Sequence, residues 1–250
     1  MNYQITLGIF EIVNISLIII FLVFGIMYFS NFWNNNISKP YKWEEAKTNK
    51  LISEELISFE KTYYDKVRLY NIWFQIERIK TNNIDGNFAE LGVYKGETAK
   101  IIHESASDRK LFLFDTYEGF DDKDLEKEES TDKKYSTKNF SDITLDDVIL
   151  FVGKSPNIKY IKGYFPESLT KEHDSKYAFI NLDADLYKPT KAALEYFYPR
   201  LSEGGVIIIH DYNHNWQGNR KAVDEFIETI PETIIEIPDW KGSAMIIKNS

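Results

Sequence analysis

The sequence predicts an α/β fold: a mainly parallel sheet of seven strands with helices on both faces. Three observations predict it. Apolar runs at 88–93, 110–115, 158–163, 177–183 and 205–211 alternate with helical patterns at 97–105, 145–152, 190–201 and 221–230. Strands that are apolar throughout and separated by helices belong to parallel sheets buried on both faces. The carboxyl ends carry glycine or polar residues, Glu90-Leu-Gly92, Asp115, Gly163, Asp183 and His210-Asp211, where such sheets bind ligands. Finally, two runs at 233–237 and 244–248 are joined by the short turn Pro-Asp-Trp-Lys-Gly (238–242), which makes one edge an antiparallel hairpin.

The totals bound the function. A chain of 250 residues suits one α/β domain plus an appendage, and 43% hydrophobic residues suffice for a packed core. A net charge of −9 without a Lys/Arg-rich run disfavours nucleic acid as a partner. The absence of cysteine excludes disulfides, thiolate catalysis and Cys-ligated zinc.

In chain order, Ile12 to Phe29 is an uncharged apolar run interrupted by Asn14 and Ser16. Its length matches the roughly 20 residues that span a bilayer core. Tyr28, Phe29, Phe32 and Trp33 follow as an aromatic belt. Lys39, Lys42, Lys47 and Lys50 lie after the run and no Lys or Arg before it, so the positive-inside rule places the rest of the chain in the cytoplasm. The expected organisation is a membrane anchor at 1–33, a linker at 34–45 and a catalytic domain at 46–250. Trp43 to Lys80 reads as helices, with Tyr63 and Tyr64 as minor substrate-contact candidates. The acidic, polar stretch 117–139 is too long for a plain connection, and 121–138 is expected to be a lid over the acceptor.

The chemistry starts at Glu90-Leu-Gly92-Val-Tyr94-Lys-Gly96-Glu-Thr98, a strand, a glycine turn and a helix start. The glycines let backbone approach a ligand, and a helix start presents unpaired N–H groups. G-x-x-x-G lacks one glycine of the dinucleotide fingerprint. A carboxylate at Glu90 would repel a pyrophosphate but suits an ammonium or sulfonium, which points to S-adenosylmethionine. Asp115, closing the second strand, is placed to accept ribose hydroxyls, and Gly163-Tyr164 to face adenine. The candidate cofactor residues are Glu90, Gly92, Tyr94, Gly96, Thr98, Asp115, Thr116, Gly163, Tyr164 and Asp183.

A second group, Asp183, Asp185, His210 and Asp211, closes the fourth and fifth strands. One reading is a divalent cation, Mg²⁺ or Mn²⁺, held by Asp183, His210 and Asp211, lowering the pKa of an acceptor hydroxyl. The other is metal-free general-base catalysis by Asp183 or His210. Catalytic candidates are Asp183, Asp185 and His210.

These residues carry a resemblance. GNFAELGVYKGETA (86–99), FDTYEGF (114–120), FSDITLDDV (140–148), IKGYFPESL (161–169), the segment 181–212 and RKAVDEF (220–226) are similar, in order, to the macrocin O-methyltransferase (TylF/MycF-like) family of class I S-adenosylmethionine-dependent methyltransferases. The resemblance implies a Rossmann-like seven-stranded sheet and methyl transfer to a hydroxyl, often of a sugar. It implies that Glu90, Gly92, Asp115 and Gly163 serve the cofactor, that Asp183 and Asp211 bind metal, and that an acid of the DADLY segment is the base. His210-Asp211-Tyr212 departs from the family's usual Asp-Asp-Tyr. The partners expected are a small-molecule or glycan acceptor, the membrane through the N-terminal helix, and a second copy of the chain. The competing readings are a nucleotide-binding oxidoreductase, disfavoured by the missing glycine and by Glu90, and a non-catalytic membrane-tethered module of the same fold.

Overall fold

The computed structural model describes residues 8–34, 39–125, 135–214 and 217–249. The chain divides into two units, residues 1–45 and 46–250. In the first, α1 (Ile9–Asn34) is a continuous 26-residue helix. Its stretch Ile9–Ser30 is long and apolar enough to cross a membrane, by length and composition. The polar interruption at Ser16 is absorbed locally, because its hydroxyl donates to the Ile12 carbonyl at 2.9 Å. The side chains of Phe32 and Trp33, half of the expected aromatic belt, lie outside the described residues.

Helix α2 (Tyr41–Thr48) begins inside the segment read as linker. Helices α3 (Glu54–Thr62) and α4 (Lys66–Thr81) start where the sequence supplies caps. The Ser53 hydroxyl accepts from Leu56 N at 3.1 Å, and Asp65 Oδ1 from Arg68 N at 3.0 Å.

The sheet contains β1 (Asn87–Leu91), β2 (Leu111–Asp115), β3 (Ile158–Lys162), β4 (Tyr177–Leu182), β5 (Leu201–Ile209), β6 (Ile235–Ile237) and β7 (Ser243–Ile247) in the order β3-β2-β1-β4-β5-β7-β6. The first five are parallel, and β7 runs antiparallel to both β5 and β6. Helices α5 (Glu97–Ser105), α6 (Asp122–Leu125), α7 (Leu145–Val152), α8 (Tyr187–Phe197) and α9 (Gln217–Ile227) complete the domain. Boundaries shift by up to four residues from the expected ones, as where α8 and α9 each begin and end earlier, and two differences matter most. β5 begins at Leu201, because Leu201 pairs with Tyr177 ahead of an irregularity in the β4–β5 ladder. The long polar stretch after β2 contains α6, while its residues 126–134 lie outside the described residues, so the expected lid is not described there.

Strand alternation sorts the core into two faces. Ala89, Leu91, Phe112, Phe114, Ile180, Leu182, Ile207 and Ile209 form one apolar cluster with Ala193, Leu194 and Phe197 of α8 and Val223 of α9. The intervening positions, among them Phe88, Glu90, Phe179 and Asn181, point to the opposite face. Rings dominate the α8 side. Phe197 lies 5.1 Å from Tyr177 and 5.7 Å from Phe165 by ring centroids, and is fully buried. Truncating it leaves a cavity flanked by rigid rings that cannot collapse into it. Phe197→Ala should therefore cost about 3–5 kcal/mol of stability, read as a lower denaturant midpoint with an unchanged slope.

Candidate active site

Strand order reverses between β1 and β4, and there the carboxyl ends open into a cavity of about 330 Å³. Gly92 sits at the junction with φ +83°. A Cβ there would stand 2.1 Å from the Asp183 carbonyl oxygen, so only glycine lets β1 and β4 come this close. Four non-glycine residues that follow strand ends or line this region also adopt left-handed backbone: Tyr94, Tyr117, Asp185 and Asp211. Such conformations cost energy and persist where surrounding bonds over-determine them.

Asp115 supplies those bonds for the glycine turn. Its Oδ2 accepts from Val93 N (2.7 Å) and Tyr94 N (2.9 Å), and its Oδ1 accepts from Tyr117 N (2.7 Å). The residue read as a ribose acceptor is thus also the clasp that joins the β1 and β2 turns, while still lining the cavity. An aromatic wall stands beside it, Tyr94–Phe140 at 5.0 Å and Phe120–Phe140 at 5.2 Å.

Of the expected cofactor residues, Gly92, Tyr94, Asp115, Thr116, Gly163, Tyr164 and Asp183 line the cavity, whereas Glu90, Gly96 and Thr98 do not. Alternation explains Glu90. It faces α5 and is fully buried, with Oε1 accepting from Thr98 Oγ1 and from Asn181 Nδ2 (2.7 Å). Burial pushes its carboxyl up to about 8, against the pull of those two hydrogen bonds. Gly96 serves packing, since a Cβ there would meet Val152 Cγ2 of α7 at 2.5 Å.

The second group is assembled differently from the expected trio. Ligand-capable oxygens of Asp183, Asp185 and Asp211 all lie within 4.8 Å of one another. His210 stands outside that set. Its ring is fully buried and Nδ1 lies 3.0 Å from Asp183 Oδ2. An ionised carboxylate only accepts, so Nδ1 carries the proton and donates. Burial would raise the Asp183 carboxyl, but His210, Arg68 and Lys241 outweigh it and hold the group at about 2. Asp185 moves the other way. Burial, then the charges of Asp183 and Asp211, raise it well above the carboxylate range. Burial and Asp183 likewise raise Asp211, against Lys241.

Two cations that sequence reasoning missed complete the site. Arg68, from α4, donates Nε to Asp239 Oδ2 (3.0 Å) and Nη2 to Asp211 Oδ1 (3.4 Å). Lys241, from the β6–β7 turn, donates Nζ to Asp211 Oδ2 (2.9 Å). Both line the cavity, as do Tyr63, Tyr64 and Trp240, the last two in edge contact at 5.2 Å. A charged residue inside the apolar stripe of α4 was the available signal for Arg68. Lys241 read only as part of a turn.

The three carboxylates suit a hard divalent cation as an oxygen donor set. Asp185 Oδ1 is buried without a hydrogen-bond partner, and the mutual repulsion that raises Asp185 and Asp211 is what such a cation would relieve.

Comparison with known proteins adds the following. The model of the macrocin-O-methyltransferase (TylF) family matches residues 26–245. A mycinamicin III 3''-O-methyltransferase of Micromonospora griseorubida is 27% identical over 228 residues, covering 80% of this chain and 85% of its own length. An 8-demethyl-8-(2,3-dimethoxy-alpha-L-rhamnosyl)-tetracenomycin-C 4'-O-methyltransferase of Streptomyces olivaceus is 25% identical over 183 residues, 69% and 70% of the two chains. Among solved structures, the O-methyltransferase NovP superposes with a TM-score of 0.62 at 22% identity, over 74% of this chain and 81% of that one. A calicheamicin methyltransferase gives 0.57 at 17% identity, over 88% and 90%. At those identities the superpositions speak for the fold.

The buried Glu90 generates a pH prediction. A carboxyl whose folded value (about 8) exceeds the ordinary Glu value of about 4.3 holds its proton more tightly when folded. The stability it contributes is complete below the lower value and is lost as pH rises through the upper one. The melting temperature of Glu90→Gln should therefore gain on wild type as pH rises from about 5 to about 8. A difference independent of pH would mean that Glu90 is ionised throughout.

Proposed function

Since the chain belongs to the macrocin-O-methyltransferase (TylF) family and is an S-adenosylmethionine-dependent O-methyltransferase, we propose that it methylates a hydroxyl of a sugar carried on a natural-product or glycan precursor. The observation that carries this reading is that one cavity joins the glycine cradle, with Gly92, Asp115 and Gly163, to the acids Asp183 and Asp185. Cofactor and acceptor can thus meet without crossing protein. Relatives whose names specify rhamnosyl and mycinamicin acceptors support the sugar class.

In this reading the cradle orients the cofactor. Backbone at Gly92 and Gly163 allows close approach, Asp115 Oδ atoms accept ribose hydroxyls from lone pairs not used by the turn, and the rings of Tyr94, Phe140 and Tyr164 exclude water. A sugar hydroxyl is a weak nucleophile until its proton leaves. The Asp185 carboxylate, which lines the cavity beside Asp183, is the acceptor for that proton. His210 Nδ1–H is the positioning group that holds Asp183 in place. Asp183, Asp185 and Asp211 would hold a divalent cation, which when bound stabilises a developing alkoxide. The Arg68 guanidinium steadies Asp211 and Asp239 on the acceptor side.

Residues 1–33 are read as a membrane anchor, 34–45 as a linker and 46–250 as the catalytic domain, with the catalytic domain in the cytoplasm. A tethered enzyme suits a lipid-linked or surface-glycan acceptor.

Four outcomes are expected. The full-length protein should transfer a labelled methyl group from S-adenosylmethionine to a panel of rhamnosides and nucleotide sugars, and transfer to none of the hydroxyl acceptors would count against the sugar class. Asp115→Ala should weaken S-adenosylhomocysteine binding at least about tenfold in calorimetry, since charge-assisted hydrogen bonds are worth roughly 1.5–3 kcal/mol each. Asp185→Asn should keep cofactor affinity and lose turnover. For the anchor, the full-length protein should stay with the membrane fraction through alkaline carbonate washing. Release into the soluble fraction would refute the span.

A further inference from the structure

Lys241 has no part in orienting the cofactor or moving the acceptor proton, yet it lines the cavity and bonds one of the three clustered acids. Resting on the cation-site reading above, we propose that Lys241 is a tethered counter-cation that competes with a divalent cation for Asp211, so that cation entry drives its ammonium off the carboxylate and into the cavity.

The two cations on Asp211 differ in how firmly they are held. The Asp211 side chain is 1% exposed and receives one cation on each oxygen, Arg68 on Oδ1 and Lys241 on Oδ2. Arg68 is 12% exposed and is tied at 3.0 Å to Asp239, with Asp65 3.8 Å away. Its planar fork matches that double grip, and leaving Asp211 would not release it from Asp239. Lys241 is 31% exposed, and its ion pair is with Asp211. It is a point charge on a flexible four-carbon stem, so exchange breaks that one bonded pair and the longer-range attraction of Asp183 and Asp185, which the entering cation's charge offsets.

The turn that carries Lys241 is itself anchored. Asp65 Oδ2 accepts from Trp240 N at 2.9 Å, and Asp239 Oδ1 accepts from Ser243 N at 2.6 Å. Displacement can therefore be a side-chain swing with the backbone of 239–243 in place, and the open cavity beside it receives the ammonium. Two effects follow. The acids bind a divalent cation more weakly than three free carboxylates would. The acceptor side of the cavity also gains a mobile ammonium when the site is loaded, which ties acceptor contacts to cation occupancy.

The test uses Mn²⁺ as probe on the full-length protein in detergent, with free Mn²⁺ followed by electron paramagnetic resonance. Lys241→Gln should bind Mn²⁺ about tenfold more tightly than wild type, the worth of one charge-assisted hydrogen bond. Lys241→Arg, which keeps a cation there, should stay close to wild type. Equal or weaker binding by Lys241→Gln overturns the competition and leaves the cation site standing, whereas absence of Mn²⁺ binding in both proteins overturns both readings. A second measurement needs no variant. Acylation of Lys241 in wild type, followed by peptide mass spectrometry, should speed up several-fold on saturation with Mn²⁺. An unchanged rate refutes the displacement.

Discussion

The close approach of β1 and β4 at Gly92 is the constraint on which the site depends. Asp183 N donates to the Leu91 carbonyl at 2.9 Å while Gly92 N donates to Phe114 at 3.0 Å, so the end of β1 is gripped from both neighbours. A side chain at 92 would collide with the Asp183 backbone. Everything chemical hangs on this junction. The turn after Gly92 carries Val93 and Tyr94 to Asp115, and the turn after Asp183 carries Asp185 into left-handed backbone facing the cavity. The strained turn after Gly92 is held by part-buried backbone-to-carboxylate bonds to Asp115, a device suited to pre-organised sites.

The second organising feature is charge. Asp65, Asp183, Asp185, Asp211 and Asp239 gather around Arg68 and Lys241, and His210 braces Asp183. The carboxylates outnumber the cations, so burial and repulsion push Asp185 and Asp211 upward while Asp183, with the imidazole against it, goes down. Acids driven apart in this way can take different tasks, one as base and one as fixed charge. Arg68 and Lys241 come from α4 and from the β6–β7 turn, so the acid cluster is finished only when both ends of the domain are in place.

The structure also separates residues of one motif by role. Glu90, Gly92, Gly96 and Thr98 lie within nine positions of one another, yet Gly92 alone of these lines the cavity. Thr98 donates to Glu90 beneath the turn, and Gly96 packs on α7. These residues support the cradle from behind, which a spacing pattern cannot distinguish from direct ligand contact.

The sequence by itself determined the fold class, the alternation of strands and helices, the glycine turn and the acids at the strand ends. It did so because buried strands need mainly apolar runs, and most polar residues of those runs gather where the chain leaves the core. It also marked α1, since a helix apolar on every side is legible without any neighbour. Tertiary structure alone decided which residues face the cavity. Glu90 turns away because side chains alternate across a strand, and the register pairs it with Asn181 on the α5 face. His210 leaves the acid cluster to Asp185 because its imidazole is committed to Asp183. Arg68 and Lys241 reach Asp211 from 143 and 30 residues away in sequence, a proximity set by strand order and helix packing that no local pattern records.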